Sequence, residues 1–406
     1  MAQTNRGVLS INSGSSSIRF ALYQIGEPMV RVLAGKIDRI GLNDTQLTFS
    51  DSSHSQPVSL EVHITGHNSA AAFLVEWLQQ EMGLEYISAV GHRVVHGMKH
   101  TKPERVSTAL MDELRDISAY DPEHLPGAIQ LIEAFGQRYP QLPQVACFDT
   151  AFHQTLPRVA RLLPVPRRFD AMGVQRYGFH GLSYTYLMQA LEQIAGPHAA
   201  KGRVILAHLG NGASLAAVRD GRSIDTTMGF TPAGGLPMGT RSGDLDPGVA
   251  WTMMQREHLT PKQFNHLVNH ESGLLGMSGT SSDMRDLLTL APTDERAAEA
   301  IDVFCYQVKK SIGAFAASMG GIDTLVFAGG IGEHAPVVRA QICSGLEFLG
   351  IEIDEPSNVQ NTDVISTVSG RVAVRIIHTD EELMIARSVC ALLGLTHEKE
   401  GNYGQQ

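Results

Sequence analysis

The sequence predicts a duplicated α/β fold, and two observations carry that expectation. A strand–turn–strand unit occurs twice. Near the start, Val8–Ile11 leads through Asn12-Ser13-Gly14-Ser15-Ser16-Ser17 into a second apolar run; at mid-chain, Val204–Leu209 leads through Gly210-Asn211-Gly212 into another. Each unit then opens the same series, a strand meander followed by alternating helices and strands. Gly14 and Gly212 are expected at matching points of the two turns. Backbone N–H groups unshielded by large side chains can cradle phosphate oxygens, although either turn alone would also serve as a plain hairpin.

The elements follow in order. Strands are expected at Val8–Ile11, Ile18–Tyr23, Val30–Ile37 and Gln46–Phe49. Asn68/Ser69 should open a helix over Ala70–Met82 that Gly83 closes. Ala89–Val95 reads as a strand interrupted by Gly91-His92-Arg93. Helices follow at Met111–Ile117 and Gly127–Tyr139, then a buried strand at Val145–Phe148 ending on Asp149. The second series has strands at Val204–Leu209, Ser214–Val218 and Ser223–Thr227, the last two joined by Asp220-Gly221. The clearest helix is Asp294–Met319. Its Ile301, Phe304, Cys305, Val308, Ile312, Phe315 and Met319 recur at helical spacing, and Gly320-Gly321 end it. Leu325–Ala328 is a strand running into Gly329-Gly330. The last helix, Glu381–Leu393, shows a capping box of Thr379 with Glu382, which gives Glu382 a structural role and leaves Glu381 for chemistry. No linker-like composition separates the halves, so their boundary near residue 150 reads as a hinge.

Composition narrows the function classes. The 406 residues are 43% hydrophobic and carry a net charge of −10, which disfavours nucleic acid as a partner. The four cysteines show no CxxC spacing, so buried free thiols in a reducing cytoplasm are expected, without zinc or disulfides. No apolar signal core or membrane span is read from the sequence. The tail after Leu395 is expected to fray.

Five polar, glycine-flanked segments remain for chemistry. There is no GxxxxGK[ST] and no GxGxxG opening a helix, so the two turns must hold any phosphates. Arg93 interrupts an apolar strand; it needs an anion there, either a ligand or an internal carboxylate. Asp149 sits at a strand end, where α/β proteins place ligands and where helix caps also occur. His180, in Arg176-Tyr177-Gly178-Phe179-His180-Gly181, has close backbone access to a ligand, or is a packed histidine. Arg241, in Gly239-Thr240-Arg241-Ser242-Gly243-Asp244, belongs to a solvated loop or joins Arg93 on a transferring phosphoryl group. Gly329-Gly330-Ile331-Gly332-Glu333 brings backbone close to a flat ligand such as a nucleoside.

Together these segments resemble the acetate kinase family, within the acetate and sugar kinase, heat-shock chaperone and actin superfamily, over nearly the whole chain. The resemblance implies duplicated ribonuclease-H-like (actin-like) domains with an active-site cleft between them: residues 1–150 plus 384–406, and residues 151–383. It implies Mg²⁺- or Mn²⁺-dependent transfer of the ATP γ-phosphoryl group to acetate, giving acetyl phosphate and ADP, with propionate or another short acid as the alternative. By resemblance Arg93 and Arg241 bind the carboxylate and the moving phosphoryl group. His180 stabilises the transition state with His124 beside it, and Asp149 orients or handles protons. Val95, Phe179 and Pro232 line the acyl pocket. Asn12 and Glu381 serve the metal. Nucleotide contacts fall to Asn12, Ser15, Ser17, Arg19, His208, Leu209, Gly210, Asn211, Gly212, Asp283, Met284, Arg285, Gly330, Ile331, Gly332, Glu333 and His334. A cytoplasmic homodimer is also implied.

Departures from the family pattern are Arg19 for Lys, His334 for Asn, Met98 for Gly, and Glu123 for an apolar Leu of the acyl pocket. A charged Glu123 either turns away or alters that pocket. A sugar or butyrate kinase of the same architecture, and a nucleotide-gated filament or chaperone protein, are the competing readings. The first should lack the Arg-Tyr-Gly-Phe-His-Gly segment, and the second needs an appended domain.

Overall fold

A computed structural model describes residues 7–14, 17–41, 44–51, 56–64, 66–83 and 86–395. The expected fraying tail and Ser15 lie outside the described residues. The chain forms two compact units, Met1–Ala151 with Asp380–Gln406, and Phe152–Thr379. The first contains β1 (Gly7–Ser13), β2 (Ser17–Gln24), β3 (Val30–Asp38), β4 (Gln46–Asp51), β5 (Val58–Glu61), α1 (His67–Met82), β6 (Ile87–Val94), β7 (Glu104–Arg105), α2 (Thr108–Ile117), α3 (Leu125–Arg138) and β8 (Gln144–Phe148). The second runs through α4 (Arg158–Arg161), α5 (Arg167–Ala171), α6 (Gly181–Lys201), β9 (Arg203–Leu209), β10 (Ala213–Arg219), β11 (Arg222–Thr226), α7 (Pro247–Arg256), α8 (Pro261–His270), α9 (Gly273–Ser278), α10 (Met284–Leu290), α11 (Glu295–Met319), β12 (Thr324–Ala328), α12 (Gly329–His334), α13 (Pro336–Cys343), α14 (Glu355–Val359) and β13 (Ala373–Ile376). The last helix, α15 (Glu381–Leu393), belongs to the first unit.

The duplication is written in the sheets. The first has the order β5-β4-β3-β2-β1-β6-β8-β7 and the second β11-β10-β9-β12-β13. Within the first, β3-β2-β1 pair antiparallel and β1-β6-β8 pair parallel. In the second, β11-β10-β9 pair antiparallel and β9-β12-β13 parallel. The five-strand pattern is therefore the same in both units, which is the mixed-sheet, ribonuclease-H-like arrangement expected.

Helices cover the sheets where apolar periodicity demands it. In the first unit Trp77 of α1 packs against Phe20 and Phe49, with ring centroids 5.4 and 4.9 Å apart. In α15, Ile385 and Val389 press onto β6 at Gly91. A Cβ there would lie 2.4 Å from Ile385 Cγ2, so only glycine admits the helix at this distance. In the second unit α6 buries Tyr184, Leu187 and Leu191, and α11 buries Phe304, Val308, Ile312 and Phe315. Asp294 caps α11 and left-handed Gly320 ends it, as expected.

Three expectations need correction. The α1 N-cap is Gly66, with Ser69 Oγ bonding back to the Gly66 N–H at 3.2 Å, so Asn68 and Ser69 lie inside the helix. Helix α15 is capped by Asp380, whose Oδ1 accepts from Leu383 N at 2.8 Å, and not by a Thr379–Glu382 box. The Thr379 hydroxyl is held by Ser183 at 2.8 Å and its N–H by Glu333, so Asp380 receives the orphan helix donor. Finally, the turns align at their first glycines. Gly14 N donates to Ser17 O at 2.8 Å and Gly210 N to Gly212 O at 3.0 Å, so Gly210, not Gly212, matches Gly14. Among the described residues no helix is long and apolar enough to cross a membrane. The thiols of Cys147, Cys305 and Cys343 are buried, which pushes each up to about 12.

Candidate active site

In the first unit the sequence-predicted residues gather at the ends of β1, β6 and β8. Strand alternation sends Arg93 and its neighbour His92 to opposite faces. His92 is buried against Phe135 and takes Gln144 Oε1 at 2.7 Å; burial lowers its pKa to about 4, so it is a neutral structural group. Arg93 instead donates through Nε and Nη2 to Asp149 Oδ2 at 3.1 and 2.6 Å, and through Nη1 to Asn12 Oδ1 at 3.0 Å. Burial opposes its charge, but Asp149 and Glu381 outweigh that and hold it protonated. Of the two readings left open for Arg93, the structure shows the internal carboxylate, Asp149.

Asn12 is the centre of this group. Its Nδ2 donates to Glu381 Oε2 at 2.8 Å and to Glu382 Oε1 at 3.1 Å. Glu382, relieved of capping, therefore stands beside Glu381. Burial and the Glu381 charge raise the Glu382 pKa, and the Arg19 charge opposes the shift. Arg19 lies directly across from Asn12 in the β1–β2 ladder. The two carboxylates are hard donors of the kind Mg²⁺ prefers, and their mutual repulsion is what a cation would relieve, while Asn12 turns its Nδ2 to both of them and its Oδ1 to Arg93. Val95 is buried. His124, at the start of α3, takes Asp121 Oδ1 at 2.8 Å on Nδ1. Glu123 is half-buried on a polar cavity of about 490 Å³ that His67, Asn68, Ser69 and Gln130 also line.

The second unit gathers a different set. His180 is the left-handed residue before α6, and its Nδ1 meets Ser214 Oγ at 2.9 Å. Tyr184 Oη, one helical turn on, bonds the same oxygen. The His180 ring stacks on His208 at 4.3 Å, and His208 Nδ1 is held by Ser183 at 2.8 Å. A Cβ at Gly212 would lie 3.2 Å from His180 Nε2 and 3.7 Å from Arg241 Nη1, so the second turn, His180 and Arg241 converge. Arg241 Nη1 also donates to the carbonyl of buried Pro232 at 3.1 Å. The loop's two carboxylates are structural: Asp244 accepts Gly235 N and Asp246 caps α7.

His153 props the His180 segment. Its Nε2 donates to Phe179 O at 3.0 Å while Nδ1 accepts from Ser223 Oγ at 2.8 Å; burial lowers its pKa to about 4 and keeps it neutral. Gly178 has φ +73°, and a Cβ there would meet the His153 ring at 2.6 Å, so glycine is required on both counts. At the end of β12, Gly330, Ile331, Gly332 and Glu333 form α12. Glu333 Oε1 accepts Gly329 N at 2.8 Å, and fully buried Arg339 donates to Gly332 O at 2.9 Å. Asp283 caps α10, Met284 is buried and Arg285 is exposed beside Asp283.

Residues 7–387 match the sequence profile of the acetokinase family. The chain belongs to that family. It is 44% identical to an acetate kinase of Rhodopseudomonas palustris over 392 residues, 95% of this chain and 98% of that one. It is 42% identical to a propionate kinase of Salmonella typhimurium over 388 residues, 94% and 95% of the two chains. Its fold is similar to the crystal structure of Porphyromonas gingivalis acetate kinase, with a TM-score of 0.85 and 36% identity, covering 96% of this chain and 100% of that one.

Within this acetokinase chain, sequence reasoning missed Ser183, Tyr184, Ser214, Glu382, Arg339 and His378. Ser214 had a signal, since it is a lone hydroxyl in the apolar run Ala213–Val218 and such a group needs a partner. Ser183 and Tyr184 follow His180 by three and four residues, which places them on its face of α6.

Proposed function

We propose that the chain transfers the γ-phosphoryl group of ATP to the carboxylate of acetate, reversibly, giving acetyl phosphate and ADP by direct in-line displacement. The single observation that carries this reading is the convergence of His180 Nε2 and Arg241 Nη1 on the Gly210–Gly212 turn. Phosphoryl transfer needs positioning and charge neutralisation rather than covalent help, and a carboxylate is already ionised at pH 7. Arg93 receives the acid's carboxylate, with Asp149 fixing the guanidinium plane and keeping its fork aimed. Arg241 neutralises charge on the moving group. In His180, the order Tyr184 O–H to Ser214, then Ser214 O–H to Nδ1, leaves Nε2–H as the donor aimed past Gly212. His124, oriented by Asp121, adds a second imidazole donor. Asn12 and Glu381, with Glu382 adjacent, are the residues that would hold Mg²⁺, which when bound neutralises the nucleotide's phosphates.

The glycines of the two turns, with Ser17, Arg19, His208, Leu209 and Asn211, serve the phosphates. Asp283–Arg285 and Gly330–His334 serve the adenosine. Val95, Phe179 and Pro232 form the acyl contacts. The transfer requires that water be kept from the acyl phosphate. We place the enzyme in the cytoplasm as a homodimer. Trp251, 67% exposed on a helix that buries none of its residues, suits contact with a second copy.

Propionate is the second reading, supported by the 42% identity to a propionate kinase; Glu123 lines a polar cavity and not an apolar wall. Steady-state rates with acetate, propionate and butyrate test both. Turnover of acetate or propionate is expected. Glu123→Leu should move their ratio by no more than about 200-fold, since one methylene is worth only ~1–3 kcal/mol. Absence of turnover with all three acids contradicts the assignment.

A further inference from the structure

We infer that Glu333, His334 and His378 form a binding site for a divalent transition ion such as Zn²⁺ or Co²⁺, separate from the Asn12–Glu381 group. Their ligand atoms all lie within 4.8 Å of one another. The carboxylate is held in advance. Glu333 Oε1 accepts two backbone N–H groups, Gly329 at 2.8 Å and Thr379 at 3.2 Å, which fixes the plane and turns Oε2 outward. That outer oxygen faces both imidazoles, with His378 Nδ1 at 2.7 Å and His334 Nε2 at 3.9 Å. The two rings are 5.9 Å apart, centroid to centroid, so they approach the carboxylate without stacking on each other.

The chemistry selects the ion. Two imidazoles and one carboxylate suit Zn²⁺, Co²⁺ or Ni²⁺, whereas Mg²⁺ prefers oxygen ligands. Bonds of about 2.0–2.2 Å would draw the three atoms slightly closer. The side chains can comply, because His334 and His378 are 67% and 65% exposed and have room to adjust, while Glu333 stays fixed. The ion replaces the proton that His378 shares with Glu333 and leaves a coordination position for water. Occupancy ties α12 to the segment before Asp380. The Thr379 N–H and hydroxyl, held by Glu333 and Ser183, are already linked there to His208.

The full chain, free of nucleotide and in excess Mg²⁺, is titrated with Zn²⁺ by calorimetry and with Co²⁺ by visible absorption. One ion per chain is expected at this site, with Co²⁺ bands of imidazole coordination. His378→Ala and His334→Ala should each weaken binding by more than about 10-fold, the loss that even outer partners of a metal carry. His266→Ala breaks the other exposed imidazole pair, whose rings stack 4.7 Å apart on α8, and should leave this ion in place. No uptake, or uptake that survives His378→Ala and falls with His266→Ala, overturns the site. Unchanged thermal unfolding of the histidine variants without metal shows that a loss is one of ligands and not of fold.

Discussion

The two units share a five-strand pattern and differ in what stands at the strand ends. In the first unit the chemistry is ionic: Arg93, Asp149, Glu381 and Glu382 surround Asn12. In the second the strand ends carry imidazoles, each held by a hydroxyl: His180 by Ser214, His208 by Ser183, His153 by Ser223. Arg241 joins that set at the Gly212 turn and donates to the carbonyl of Pro232. One topology therefore supports two electrostatic regimes. Buried ion pairs fix one, and hydrogen bonds between imidazoles and hydroxyls fix the other.

The comparison is broken most severely through its two arginines. Arg93→Ala strands Asp149, fully buried, without its guanidinium. Removing one partner of a buried pair costs about 3–5 kcal/mol, so this variant should lose both activity and stability. Arg241→Ala removes the donor to the Pro232 carbonyl. It should lose about 10²–10³-fold or more in kcat, the scale of one transition-state donor, with little change in urea midpoint. Equal destabilisation by both substitutions would erase the distinction drawn between the units.

Acid titration sharpens it next. His92 and His153, one in each unit, are buried neutral with pKa values of about 4, against an ordinary value near ~6.5 in the unfolded chain. The unfolded state therefore binds more protons in that window. Stability is full above the unfolded value and falls as pH drops from ~6.5 toward 4. His92→Gln or His153→Gln should flatten the fall by up to about one proton each, read as melting temperature against pH. An unaltered slope would mean that these rings are not neutral in the fold.

A smaller effect concerns the acidic pair. The Glu382 pKa is raised by burial and by Glu381, so the folded state binds the extra proton. Stability is then lost as pH rises through the window above the ordinary carboxylate value. Without divalent ions, Glu382→Gln should melt higher than the parent at pH 7, and the gain should shrink in acid and in Mg²⁺. Glu381→Gln should raise the Mg²⁺ concentration needed for turnover. A Glu382→Gln variant that melts lower at pH 7 would contradict the charge crowding.

The smallest change is Ser214→Ala. It removes the hydroxyl that bonds both His180 and Tyr184, worth about 1 kcal/mol for each bond, and should lower kcat several-fold while sparing the acetate KM. A KM effect without a kcat effect would place Ser214 in acid binding instead.

Much of this was legible in the sequence for a physical reason. Arg93 breaks an apolar strand, and a polar group in a buried strand needs a partner, so it announces itself. Helix α11 carries its period, its Asp cap and its Gly stop in one segment. Other features depended on tertiary context. Thr379 and Asp380 are both good caps, and the choice fell to Asp380 only because Ser183 and Glu333 engage Thr379. With the cap displaced, Glu382 turned to Asn12, which no local rule reveals. Helix α6 opens on a left-handed histidine rather than a Ser or Asp cap, so its start went unread. The exposed strand β5 lacks the apolar alternation that marks a strand. His378 meets Glu333 across 45 residues, beyond any spacing motif.

The most direct measurement traps the acyl phosphate itself. Acetate, MgATP and hydroxylamine are mixed with the parent chain and with Arg241→Ala, and the hydroxamate is followed alongside ADP. The account predicts hydroxamate in step with ADP for the parent and a loss of about 10²–10³-fold or more for the variant. ADP released without hydroxamate from acetate, propionate or butyrate would contradict carboxylate phosphorylation by this chain.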